Sequence, residues 1–97
     1  METYVILRRH GFRDGDDLRA AAERSTIEGE EMSDGVRWIR SYVLAEEDGT
    51  LGTVCIYQGT SPEAVLEHAR RADLPADEVI PSPDTVIVRP DPEPVPA

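Results

Sequence analysis

Three side chains have the donor chemistry that metal binding or nucleophilic catalysis uses: the lone cysteine, Cys55, and the two histidines, His10 and His68. Cys55 and His68 fall in one stretch, residues 52–77 (GTVCIYQGTSPEAVLEHARRADLPAD), and His10 opens the segment HGFRDGDD. Imidazole suits borderline divalent metals such as nickel, and thiolate, carboxylate and water complete their coordination. No H-x-x-x-H, C-x-x-C or comparable local pair is present, and two histidines are few for a dedicated cage. A metal site built on His68, His10 and Cys55 is therefore expected to be completed by Asp and Glu or shared between two chains. Each residue also has a plainer role: helix packing for His68, a small buried apolar group for Cys55, and a solvated loop for His10.

The elements that hold these residues follow from pattern. Residues 3–9 alternate as a strand, with Val5 and Leu7 on one side and Tyr4, Ile6 and Arg8 on the other. Asp14, Asp16 and Asp17 supply acceptors and negative charge at a helix start. Leu18, Ala21, Ala22, Ser25, Gly29 and Met32 then recur at helical spacing, with Ser25, Thr26 and Gly29 expected to weaken the second half. Gly35 suits a left-handed helix end.

Residues 36–45 (VRWIRSYVLA) and 51–58 are joined by a turn containing Asp48-Gly49, which predicts an antiparallel hairpin. In the returning strand the aliphatic pair Val54 and Ile56 is expected to face the helices, which turns Cys55 to the other side. Ser61 followed by Pro62 marks a second helix start. Ala64, Val65, Ala69 and Ala72 form that helix's apolar stripe, Glu67 and Arg71 an i,i+4 pair, and Leu74-Pro75 its stop. Short strands are expected at 78–80 and 85–88.

The predicted fold is α+β: a ferredoxin-like βαββαβ sandwich with an antiparallel sheet, an extra short C-terminal strand and two helices on one face. Residues 1–89 form its one domain, and residues 90–97 a proline-rich tail expected to be disordered. On this parity the uncovered sheet face carries Tyr4, Arg8, Trp38, Arg40, Tyr42, Leu44, Cys55 and Tyr57. Trp38, Arg40, Tyr42 and Tyr57 are then candidates to line a ligand cavity or a dimer face. An exposed aromatic patch of that size calls for a partner, most simply a second copy of the chain. The same parity separates Cys55 from His68, which argues against a Cys–His nucleophile.

Twenty acidic against ten basic residues leave a net charge of −10, a field that repels phosphate backbones and anionic membranes and attracts cations. Nucleic-acid and membrane partners are not expected. A single cysteine and an N-terminus without a basic leader or long apolar run point to the cytoplasm.

The segments GVRWIRSYV (35–43), CIY (55–57) and EHARRADLPAD (67–77) resemble a small bacterial family of nickel-binding proteins with a ferredoxin-like dimer, formerly a domain of unknown function. The resemblance runs from Tyr4 to about Val88. It implies nickel binding at a dimer surface, for sequestration or detoxification, with His68 and Cys55 inside the matching segments and His10 outside them. The alternative is a small-molecule-binding protein, or a cofactor-free enzyme, using the aromatic face of a dimeric α/β barrel. No catalytic signature is present, so an enzyme is the less favoured reading.

Overall fold

A computed structural model describes residues 1–93; residues 94–97, the end of the expected tail, lie outside the described residues. The elements are β1 (Glu2–Phe12), α1 (Gly15–Glu31), β2 (Val36–Ala45), β3 (Leu51–Gly59), α2 (Pro62–Arg71) and β4 (Glu78–Ser82). The sheet runs β2-β3-β1-β4 with every neighbouring pair antiparallel, the ferredoxin-like arrangement that the element order predicts. Residues 83–93 add no further strand, so the one expected at 85–88 is absent. Val86, Ile87 and Val88 there are exposed, with no facing strand to pair them among the described residues.

Both helix starts are capped by side chains. Asp14 accepts from the Asp17 N–H and Ser61 from the Ala64 N–H, each satisfying a donor left over at a helix N-terminus. α1 continues unbroken through Ser25, Thr26 and Gly29, because Ser25 is buried against the sheet and packing outweighs weak propensity. It ends at Met32 without a left-handed glycine; the positive-φ glycine is Gly49, at +89°, in the β2–β3 turn. On α2, Glu67 pairs with Arg70, and Arg71 instead reaches across to Glu28 and Glu31 of α1.

The alternation within β1 and β3 is as expected, but the orientation is inverted. Tyr4, Ile6, Cys55 and Tyr57 face the helices and form the core with Val36 and Val65. Arg8 and Thr53, cross-strand partners on that same side, are buried as well. Val5, Leu7, Val54 and Ile56 are only half-buried on the opposite face. The reason is volume. α1 presents only Ala21 and Ser25 to the layer and α2 adds Val65, His68 and Ala69, so much of the remaining volume is filled by long side chains from the sheet. In β2 an extra residue between Trp38 and Arg40 reverses parity partway. Trp38, Ser41 and Val43 therefore share the helix side, while Arg40, Tyr42 and Leu44 face away.

Candidate functional site

The irregular end of β1 and the β2–β3 turn meet at one corner. Between Arg8 and Phe12 the register with β3 slips, and His10 there adopts a left-handed backbone with φ of 53°. Its imidazole Nδ1 lies 3.1 Å from Asp48 Oδ2 and 3.1 Å from Thr50 Oγ1. The Thr50 hydroxyl and N–H both donate to the other oxygen of Asp48, and they hold that carboxyl down at about 2. An ionised carboxylate only accepts, so Nδ1 carries a proton, and in the neutral form of the ring Nε2 keeps its lone pair. Half of the His10 side chain is exposed.

Glu46 closes the inner side of this corner. It accepts from Nε and Nη2 of the Arg9 guanidinium and from the His10 N–H, and these, in that order, bring its carboxyl to about 2. Its Oε2 sits 3.9 Å from His10 Nε2. A Cβ at Gly52 would lie 2.6 Å from that oxygen and 2.8 Å from the Arg8 carbonyl, so the close approach of strand and carboxylate requires glycine there. A histidine oriented by a carboxylate, with its other nitrogen free, is the arrangement that metal-ligating imidazoles use. Among the described residues no three His, Cys, Asp or Glu side chains are grouped so as to hold a metal ion by themselves.

His68 is placed very differently. It is fully buried under α1, its Nε2 3.0 Å from the Ser25 carbonyl, to which it donates. Nδ1 is buried without a partner among the described residues, and the Tyr57 ring lies 5.3 Å away, centroid to centroid. Burial pushes its pKa down, with the Ser25 carbonyl and Glu28 pulling the other way. The ring is a neutral core group without solvent access.

Cys55 is also in the core, on the same side of the sheet as His68 rather than across it. Its Sγ accepts from the Ser41 hydroxyl at 2.9 Å and faces Thr53 Oγ1 at 3.3 Å. The parity that separated the two residues fails because the aromatic side chains, not the aliphatic pair, fill the space below the helices. They nevertheless do not form a Cys–His couple: each is engaged with other partners.

The four aromatic and arginine residues expected to share one face are divided between two. Trp38 and Tyr57 stack on the helix side with centroids 6.3 Å apart. Arg40 and Tyr42 lie on the opposite face and both hold Asp91, at 3.2 Å and 2.8 Å. The start of the expected tail is thus fastened to the sheet. Residues that sequence reasoning assigned only to turns or faces prove central here: Asp48 and Glu46 beside His10, and Arg8 beneath α1. An arginine alternating with Tyr4 and Ile6 was the available signal for the last.

No curated protein matches the chain. Among solved structures, the crystal structure of SCO4226 from Streptomyces coelicolor A3(2) is similar, with a TM-score of 0.64 and 23% identity over 87% of this chain and 99% of that one. At that identity the likeness concerns the fold. A family model described as nickel responsive protein SCO4226-like matches residues 4–81, which take in both helices and all or most of each of the four strands. The chain belongs to the SCO4226-like family of nickel-responsive proteins.

Proposed function

We propose that this protein binds a divalent cation, nickel foremost, at the corner formed by His10, Asp48 and Glu46, and that as a cytoplasmic homodimer it holds the metal in sequestered form. The observation that carries the reading is the 3.1 Å contact of His10 Nδ1 with Asp48 Oδ2, which orients a half-exposed ring so that Nε2 is left for a further partner. His10 would supply the nitrogen ligand and Asp48 its orientation, with Glu46 lining the same corner. Water and donors of a second chain complete the coordination, as a cation tolerant of mixed nitrogen and oxygen ligands allows. The family's nickel responsiveness and the net charge of −10 support the choice of cation. The homodimer reading rests on the half-buried Val5, Leu7, Val54 and Ile56 of the open sheet face and on the exposed Val86, Ile87 and Val88 beside it.

Calorimetric titration of chelator-stripped protein with nickel, cobalt and zinc tests the site. His10→Ala is expected to abolish the strongest binding and Asp48→Asn to weaken it about 10- to 100-fold, the usual cost of losing a carboxylate that orients a ligand. Unchanged nickel affinity in His10→Ala would remove the proposal. A monomer mass that stays constant with concentration would remove the dimer.

A further inference from the structure

A second feature lies on the helix side of the sheet and shares no lining side chain with the metal corner. Between α1 and the sheet lies a cavity of about 260 Å³, below the ~300–1,000 Å³ of pockets that hold drug-sized ligands. Its wall is mostly apolar, with Phe12, Leu18, Trp38, Val43 and Leu74 prominent, and the exposed Trp38 and Val43 are part of its rim. The polar groups on the wall are paired with one another. Trp38 Nε1 donates to Ser41, Ser41 to Cys55, and Ser25 meets the Tyr57 hydroxyl.

Arg8 is the exception. Among the described residues it is the one charged residue on that wall, and it is 1% exposed. Its Nε and Nη2 are buried with no partner among the described residues, and the guanidinium carbon sits 5.8 Å from the centre of the Tyr57 ring. An arginine does not escape burial by losing its proton, and buried charges are ordinarily paired. Nε and Nη2 form one edge of the guanidinium, the edge that takes both oxygens of a carboxylate side by side. The neighbouring residue illustrates this: Arg9 uses the same two nitrogens on Glu46, at 2.9 Å and 2.7 Å.

We propose that this cavity is a binding site for a small organic monocarboxylate with an apolar body, its carboxylate paired with Arg8 and its body against Phe12, Leu18 and Trp38. The chemistry of the wall argues for that class. A mostly apolar wall with one guanidinium edge, Nε and Nη2, left without a partner among the described residues rejects a cation, leaves that edge unsatisfied by an apolar neutral ligand, and offers a polyanion such as phosphate few further donors. The net charge of −10 repels anions at long range, so recognition depends on the local, desolvated arginine.

The single tryptophan, Trp38, reports occupancy directly. Benzoate, hexanoate, benzamide and benzylammonium are titrated against the full chain in excess chelator, which separates this site from the metal corner, with Trp38 fluorescence and calorimetry as readouts. Benzoate and hexanoate are expected to bind at least tenfold more tightly than benzamide, and benzylammonium not at all. Arg8→Met is expected to bring benzoate down to the level of benzamide. Ala22→Phe, which keeps Arg8 but fills the cavity from α1, is expected to abolish both, so the proposal stays testable if Arg8→Met does not fold. Equal binding of benzoate and benzamide, or benzoate affinity that survives Ala22→Phe, would overturn it. Displacement of benzoate by equimolar sulfate would also overturn it, in favour of an inorganic-anion site.

Discussion

The hydroxyls of Ser25 and Tyr57 meet at 3.1 Å beneath α1, joining a helix to a strand across 32 residues of sequence. The same serine accepts the His68 Nε2 hydrogen at its carbonyl, so one residue of α1 ties down both β3 and α2. On the α1 side of the interface a small helix side chain meets a long one from the sheet.

Ser25→Ala is expected to cost about 1–3 kcal/mol, because it leaves the Tyr57 hydroxyl buried without its partner, and Tyr57→Phe about 1 kcal/mol. Urea denaturation of the two single variants and the double variant measures the coupling. A double variant whose loss equals the sum of the single losses would show that the hydroxyls act independently.

Glu46 makes stability depend on acidity. Its carboxyl is held at about 2 against an ordinary value of 4.5, first by Arg9 and then by the His10 N–H. The folded state therefore favours the ionised form, and the contribution is fully present above pH 4.5 and lost as pH falls through about 2. Asp48, held at about 2 by Thr50, adds to the same window. Urea midpoints recorded between pH 6 and pH 2 are expected to fall less steeply for Glu46→Gln than for the natural chain. Identical slopes would contradict the assignment.

His68 titrates in the opposite sense to a histidine that gains an acidic partner. Burial lowers its pKa below 6.5, more than the Ser25 carbonyl and Glu28 raise it, with Arg8 and Arg71 adding to the depression. Its contribution is thus present above pH 6.5 and lost as pH falls through the folded value. His68→Ala is expected to destabilise the fold by about 2–4 kcal/mol through the void and the lost bond to Ser25, at pH 7.5. Nickel affinity of the folded fraction should not change, and calorimetry alongside thermal melting separates the two effects.

The start of α2 offers a local check on the capping. Ser61→Ala removes the acceptor for the Ala64 N–H and is expected to cost about 1 kcal/mol, whereas Ser61→Asp should be close to neutral. Chemical denaturation measures both. A loss much below 0.5 kcal/mol in Ser61→Ala would mean that Pro62 and packing alone set the helix start.

Much of the architecture was legible in the chain itself, because its signals are local. Asp14 and Ser61 announce two helix starts, Asp48-Gly49 announces the hairpin, and alternation in β1 and β3 separates two sets of side chains. Those features depend on residues within one turn or one strand of each other. The segment 85–88 shows the limit of the same reasoning: β-branched residues favour a strand, yet no neighbour in the described chain pairs with them.

Which set faces the helices is not a local property, and only the tertiary structure decided it. Hydrophobicity alone favoured Val54 and Ile56, but the small buried residues of α1, Ala21 and Ser25, leave a space that Tyr4, Tyr57 and Arg8 help to fill, and this carries Cys55 to the side of the sheet where His68 lies. The extra residue in β2 then divides Trp38 from Arg40 and Tyr42. His10, a candidate ligand in the sequence by its residue type alone, acquires its carboxylate and hydroxyl neighbours only in the fold. The slipped register of β1 brings it to Asp48, 38 residues away, and no spacing rule could anticipate that pairing.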